Sequence, residues 1–148
     1  MAIEKELMRE TTLTSDQLHE LGQAHRRRLN DLYERATQVE QLLGEVNFAF
    51  VTVKGLPSEK GRAMFQLGAG MYIEGDVLPH TLKRTLPSGV VIGTTTEASV
   101  IDLQKRLDAI KKEMKKLGEE IEKATHDLRS VENVREIAKH ARQKAAKG

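Results

Sequence analysis

The sequence predicts a mainly α-helical protein with a small β insert, in which a long antiparallel coiled-coil hairpin has its two helices joined by two β-hairpins. Both halves of the 148-residue chain carry apolar residues at steps of three and four. Aromatic residues make up 3% of the chain and charged residues 31%, which suits helices that each bury a narrow stripe against a partner. Between the two halves lie short strand-like runs separated by Gly and Pro.

A chain of this length is expected to form one domain, residues 1–148. We divide it into an N-terminal coiled-coil helix at 1–46, a β-hairpin assembly region at 47–95, and a C-terminal coiled-coil helix with a basic tail at 96–148. Thr14 followed by Gln17 predicts a capping box at the start of the first helix. His25 lies on the apolar face of this helix and is expected to be a polar interruption, not a ligand. The apolar face itself comprises Leu29, Leu32, Ala36, Val39, Leu43 and Val46.

The middle of the chain is rich in β-forming residues. Residues 46–54 (VNFAFVTVK) favour an extended conformation, and four short strands are expected within RAMFQL, GMYIEGDV, LKRTL and GVVIGT. Gly68 and Gly70 are expected to permit a sharp bend or bulge. Because an isolated hairpin is marginally stable in water, we expect the hairpins to pair with hairpins of other subunits. The residues predicted to mediate this assembly are Phe65, Leu67, Gly68, Gly70, Tyr72, Ile73, Val77, Val90 and Ile92.

The C-terminal half contains a heptad pattern with a period of 3.5, which is typical of a left-handed coiled coil. Its start is marked by Thr94–Thr95–Thr96–Glu97, which offers hydroxyl N-caps with an acid close behind. Lys and Glu pairs between the apolar positions are expected to form the solvated face. The apolar positions, called the C-terminal seam below, are Leu103, Leu107, Ile110, Met114, Leu117, Ile121, Ala124, Leu128 and Val131.

Composition excludes several classes of function. The chain has no cysteine, a formal charge of only +2, and no apolar run near the roughly 20 residues that a membrane span needs. Its N-terminus contains acids that a signal or transit peptide lacks, so a soluble cytoplasmic protein is expected. The five histidines show no metal-ligand spacing, and Gly68 with Gly70 lacks the third glycine of a dinucleotide loop. We therefore expect no enzyme activity, no cofactor and no metal.

The order of motifs along the chain is similar to that of a known family. LGAGMYIE at 67–74, VLPHT at 77–81 and SGVVI at 88–92 precede an acidic helix start that continues into LQKRL at 103–107. This arrangement resembles a prefoldin subunit of the α class, and the flanking coils extend the resemblance over nearly the whole chain. The resemblance implies a hexamer of two α-class and four β-class subunits. Such a hexamer holds unfolded proteins without ATP and passes them to a group II chaperonin.

Client capture requires apolar side chains that are left unpaired where the coiled coil ends, and both chain termini are expected there. Met suits a surface that adapts to many shapes. The alternative is that these side chains simply continue the apolar seam. Separately, the basic tail from Lys139 is expected either to attract acidic clients or the chaperonin, or to keep this end of the coil soluble. The predicted client-binding residues are Ile3, Leu7, Met8, Leu13, Val134 and Ile137.

A second class of function remains open, namely a coiled-coil scaffold or adaptor of a prefoldin-like assembly. The basic residues of the two helices would permit nucleic-acid association, although nucleic acid is not an expected partner. Binding of this kind weakens steeply with salt, whereas capture of apolar segments does not. No membrane partner is expected.

Overall fold

The computed structural model describes residues 13–57, 59–78 and 82–148. Two helices flank two small antiparallel β-hairpins, which confirms the predicted fold class. The elements are, in chain order, helix α1 (Ser15–Lys54), strands β1 (Gly61–Gly68), β2 (Met71–Val77), β3 (Lys83–Thr85) and β4 (Val91–Gly93), and helix α2 (Thr96–Lys147).

Helix α1 begins with the predicted capping box. The backbone N–H of Thr14 donates to Gln17 Oε1 at 2.9 Å, and the N–H of Gln17 donates to Thr14 Oγ1 at 3.2 Å. These two bonds satisfy two donors of the first turn that have no partner inside the helix. The helix therefore starts where the sequence predicts it.

The prediction of an extended segment at residues 46–54 is wrong, because α1 continues through it and ends at Lys54 rather than near residue 46. Val46 is buried, and Ala49 and Val53 are half-buried, so the spacing of the apolar face continues into this segment. Packing of that face outweighs the local β propensity of the residues around it. Helix α1 closes with a bond from the N–H of Gly55 to the carbonyl of Val51 at 3.1 Å.

Helix α2 begins after the predicted threonine cluster. Thr95 is the cap, since its Oγ1 accepts a hydrogen bond from the N–H of Ala98 at 3.1 Å. Thr94 Oγ1 lies 3.3 Å from Ser99 Oγ, which joins the chain before the helix to its first turn. Gly118 lies on the exposed side of α2, where a Cβ atom would meet nothing within 4 Å, so it interrupts no packing.

The chain divides into two compact units. The first comprises the residues up to Gln38 together with Met114–Gly148, and its two helical segments run antiparallel. Arg26 Nη2 donates to Glu132 Oε1 at 2.9 Å, and a Cβ at Gly22 would lie 3.7 Å from Val131 Cγ1. The core of this unit is formed by buried side chains at heptad spacing, namely Leu18, Leu32, Leu117, Ala124 and Val131.

The second unit, Val39–Glu113, contains both β-hairpins. Strands β1 and β2 pair from Gly61↔Val77 to Gln66↔Tyr72, and the register shifts before Gly68↔Met71. Gly68, Ala69 and Gly70 all have positive φ, at 107°, 49° and 75°, so the predicted bend at the two glycines is confirmed. The other hairpin pairs Lys83↔Gly93 to Thr85↔Val91 around a turn closed by a bond from the N–H of Leu86 to the carbonyl of Val90 at 2.8 Å.

Candidate functional site

The two hairpins expose apolar side chains on both faces of their ribbons. Phe65 and Ile73 are opposite each other in the β1–β2 register, and Tyr72 points to the other face because neighbouring residues in a strand alternate. All three are exposed, and Leu67 retains 64% of its accessible surface. An antiparallel sheet normally buries one face against a core, but this ribbon buries neither. The hairpins therefore present a large apolar surface that no layer of the described residues covers.

The positions of the residues predicted to mediate assembly follow from this arrangement. Gly68 and Val77 are half-buried and Gly70 is exposed in the turn. On the second hairpin, Val90 and Ile92 are exposed as well. We call this set the hairpin surface; it comprises Phe65, Leu67, Gly68, Gly70, Tyr72, Ile73, Val77, Val90 and Ile92.

An ion-pair network holds the second hairpin against α2. Arg84 Nη1 on β3 lies 3.1 Å from Asp102 Oδ1, and Arg106 Nε lies 3.0 Å from Asp102 Oδ2. The backbone adds a hydrogen bond from the N–H of Thr94 to the carbonyl of Leu82 at 2.9 Å. Bidentate use of one carboxylate by two guanidinium groups fixes the orientation of all three side chains. This network could not be predicted from the sequence, because nothing in the spacing of residues 84 and 102 indicates contact.

A second candidate site lies at the end of the first unit where α1 begins and α2 ends. A cleft of about 780 Å³ lies along the helical pair there, lined by Leu13 just before α1, by Leu18 on α1 and by residues of α2 as far as Ala146. Its size falls within the range of roughly 300–1,000 Å³ typical of ligand-binding clefts. We call it the terminal cleft. Cationic side chains also line it, from Arg135, Lys139 and Arg142 on α2.

The terminal cleft forms where the heptad pattern changes character. Beyond Val131, the next heptad positions at steps of four and three are Arg135, Ala138 and Arg142. Two of these residues are cationic and one is small, whereas a coiled-coil seam needs large aliphatic residues. On α1 the residue near Val131 and Arg135 is Gly22, which contributes no side chain to the seam. Beyond Val131, α2 therefore contributes no large aliphatic side chain at these heptad positions, whereas Leu18 on α1 is buried there. This change of residue type was visible in the sequence, but it was not among the predicted features.

The predicted client-binding residues occupy different environments. Ile3, Leu7 and Met8 lie outside the described residues. Leu13 lines the terminal cleft and is exposed. Val134 is half-buried and Ile137 is 66% exposed, and neither of them lines the cleft, so Ile137 does not continue the apolar seam.

The coiled-coil residues named from the sequence lie on the inward faces of the two helices. Leu107, Ile110, Leu117, Ala124 and Val131 are buried. The remaining members of the C-terminal seam are half-buried, as are Val39 and Leu43 on α1, whereas Leu32 is buried. His25 on this face is half-buried, and within the described residues it has no ion pair.

Within residues 13–57, 59–78 and 82–148, no group of three or more His, Asp or Glu side chains is arranged to hold a metal ion. In the same part of the chain, no helix combines the length and apolar character that crossing a bilayer requires.

Two helices that flank a pair of small antiparallel β-hairpins define the chain as a mainly helical protein with a β insert. The prefoldin subunit family model matches residues 19–140, and the chain therefore belongs to the prefoldin family. This is a family of non-enzymatic chaperones whose members generally assemble with other prefoldin subunits. A comparison with curated proteins finds no match.

Proposed function

We propose that this chain is an α-class subunit of a hexameric prefoldin that holds unfolded proteins without ATP. The observation that carries the proposal is the hairpin surface, whose apolar side chains are exposed on both faces of a two-stranded ribbon. A ribbon of this kind gains stability when other chains cover it. Membership of the prefoldin family supports prefoldin subunits as those chains.

The α class is proposed from the two hairpins and the order of their motifs. Both hairpins occur between α1 and α2, and the segments 67–74 and 88–92 that carry the resemblance fall on or beside their strands. The partners in the proposal are four β-class subunits and a second α-class subunit. Assembly would bury apolar area at roughly 25 cal/mol per Å², which is the main stabilising contribution available to so small a sheet.

Client capture is proposed at the end of the first unit that carries the chain termini. Leu13 and Ile137 are exposed apolar side chains there, and the terminal cleft provides a concave surface beside them. Unfolded proteins expose apolar segments, and such a surface binds them noncovalently by burying their apolar area. Held clients would then pass to a group II chaperonin in the cytoplasm.

Assembly is tested by co-expressing the chain with candidate β-class subunits and measuring the mass of the complex by light scattering. We expect a hexamer from the wild-type chain, and a reduced yield of hexamer when Ile73 is replaced by Ser. Asp76→Ser is the matched control, since it changes an exposed polar residue on the same strand. Equal assembly of both variants would contradict the role of the hairpin surface.

The holding activity is tested on the same complex with a chemically denatured protein diluted into buffer without ATP. We expect suppressed aggregation, and loss of suppression when residues 1–13 and 134–148 are removed together. A complex that assembles but never suppresses aggregation would instead support the scaffold or adaptor function. Salt-sensitive binding of RNA or DNA by that complex would indicate a scaffold that associates with nucleic acid.

A further inference from the structure

We infer that the terminal cleft selects client segments that are extended and combine acidic with apolar side chains. This inference rests on the proposed function, because it names the class of client segment that the same end of the molecule binds. Its basis is the pattern of charge in the cleft, the spacing of its cations and the apolar side chains beside them.

The cations of the terminal cleft lie on one face of α2. Arg135, Lys139 and Arg142 occupy positions i, i+4 and i+7, which point in the same direction from a helix. None of the three forms an ion pair with another described residue. By contrast, Arg26 at the far end of the cleft is neutralised by Glu132 at 2.9 Å.

The surrounding sequence strengthens this positive potential. Residues 129–147 contain six Arg or Lys residues and two Glu residues, whereas the whole chain has a formal charge of only +2. Positive charge is therefore concentrated at this end of α2. Neighbouring like charges at i, i+4 spacing destabilise a helix, and an anionic ligand placed between them removes that repulsion. The charge pattern thus favours a partner that supplies carboxylates.

Apolar side chains in the cleft favour a polypeptide over other polyanions. Leu13, just before α1, and Leu18 on α1 line one side, and Ala138 and Ala146 of α2 line the other. The ribose-phosphate backbone of a nucleic acid has no aliphatic side chains to place against these residues, and the described cleft lining contains no aromatic ring on which bases would stack. The cleft is also lined by two carboxylates, Glu132, which pairs with Arg26, and Glu136, against four cations, so its net charge is positive. An acidic polypeptide segment with aliphatic residues complements this net positive charge and the apolar lining.

The dimensions of the cleft specify the form of the segment. Residues 132–146 of α2 span about 20 Å at a rise of 1.5 Å per residue. An extended chain of about six residues covers that length at roughly 3.3 Å per residue. Arg135 and Lys139 are about 6 Å apart along the helix axis. Acidic side chains at alternate positions of an extended chain are about 6.6 Å apart, which matches this spacing.

The experiment measures binding of two fluorescein-labelled hexapeptides by fluorescence anisotropy. One alternates Glu with Leu and the other alternates Lys with Leu, so the two have the same apolar content. The full chain is used, purified together with its partner subunits. We expect the acidic peptide to bind about tenfold more tightly at low salt and this preference to shrink as ionic strength rises.

Variants assign the preference to the cleft. Arg135→Gln combined with Arg142→Gln is expected to abolish most of the preference, and Arg135→Lys combined with Arg142→Lys to retain it. The matched control is Lys111→Gln combined with Lys115→Gln, which removes two positive charges from exposed positions of the same helix outside the cleft. Circular dichroism checks that each variant keeps its helical content.

The outcomes separate this inference from the proposed function. Equal binding of the two peptides, or an unchanged preference in the double Gln variant, would overturn the inference. Tighter binding of single-stranded oligothymidylate than of the acidic peptide would also overturn it and indicate a nucleic-acid site. A complex that suppresses aggregation of acidic and basic clients equally retains the proposed function without charge selectivity, whereas one that suppresses neither contradicts the proposed function itself.

Discussion

Arg84 on β3 and Asp102 on α2 form an ion pair in which the guanidinium Nη1 lies 3.1 Å from Oδ1. The other oxygen of Asp102, Oδ2, lies 3.0 Å from Arg106 Nε, so one carboxylate pairs with two cations. The Nε of Arg84 is buried and has no hydrogen-bond partner among the described residues. Strands β3 and β4 have only three residues each, so this ion pair is a main constraint on where the second hairpin lies.

Replacing Asp102 with Ala should loosen the second hairpin while leaving α2 intact, because Ala is the best helix former. The ion pair is partly exposed to solvent, so we expect a local loss of about 1 kcal/mol. Hydrogen exchange at the N–H groups of Leu86 and Thr94, which are bonded to Val90 and Leu82, should be about fivefold faster.

Asp108→Ala is the control for this experiment. Asp108 lies on the same helix and accepts a hydrogen bond from Gln104 of that helix at 3.1 Å, and among the described residues it forms no ion pair with the hairpin. The two variants lose the same charge. Similar exchange rates at Leu86 in both variants would show that the ion pair does not hold the hairpin.

In the turn between β1 and β2, a substitution by Gly should stabilise the hairpin, although Gly usually destabilises a strand or helix. Ala69 has φ of 49°, in the left-handed region that costs a residue with a Cβ about 1–2 kcal/mol. Ala69→Gly should therefore stabilise the hairpin by about 0.5 kcal/mol after the extra entropy of the unfolded chain is subtracted.

Ala63→Gly is the matched substitution within β1, where Ala63 pairs with Gly75 in regular register. Here Gly should destabilise the hairpin by about 0.5–1 kcal/mol. Hydrogen exchange over residues 61–77 measures both variants. Destabilisation by both to the same extent would show that the φ of Ala69 stores no strain.

Much of the fold was predictable because it follows from local signals. The capping residues Thr14 and Thr95, the glycines of the first turn and the seam through Leu107 and Leu117 each obey a short-range rule of spacing or chemistry. Residues 46–54 were predicted incorrectly because two signals conflict there. Val51, Thr52 and Val53 favour a strand, while Val46, Ala49 and Val53 continue the helical spacing, and burial of that spaced face decides the outcome.

The candidate sites were less predictable than the fold. The placement of Ile73 and Tyr72 on opposite faces follows directly from the strand, because alternation along a strand is geometric. The terminal cleft was not predicted, because it forms where heptad positions carry no large apolar residue, such as Arg135 opposite Gly22. The contact between Arg84 and Asp102 depends on how the chain folds between them, and no short-range rule encodes that.

The helix pairing of the first unit should depend on individual seam residues. Leu117 is 4% exposed, and its replacement by Ala removes buried methyl groups and leaves a space that the flanking helix fills only in part. We expect a loss of about 2–3 kcal/mol in the free energy of unfolding. Leu21→Ala makes the same chemical change at an exposed position and should cost less than about 0.5 kcal/mol. Urea unfolding followed by circular dichroism compares the two, and equal midpoints would contradict the assignment of Leu117 to the core.

The start of α1 should respond to loss of its cap. Thr14→Ala removes the Oγ1 that accepts from the N–H of Gln17, and with it the constraint that lets Gln17 Oε1 accept from the N–H of Thr14. We expect the first turn to lose about 1 kcal/mol. Ser15→Ala is the neighbouring control, because the Ser15 hydroxyl has no hydrogen bond to any described residue, and it should change stability by a few tenths of a kcal/mol at most. Hydrogen exchange over residues 17–20 should therefore accelerate about fivefold in the Thr14 variant alone.

Since Leu13 and Leu18 line the terminal cleft on either side of this cap, the same variant should also weaken binding of the acidic hexapeptide. Unchanged exchange in both variants would mean that packing of Leu18, and not the capping box, fixes where the helix begins.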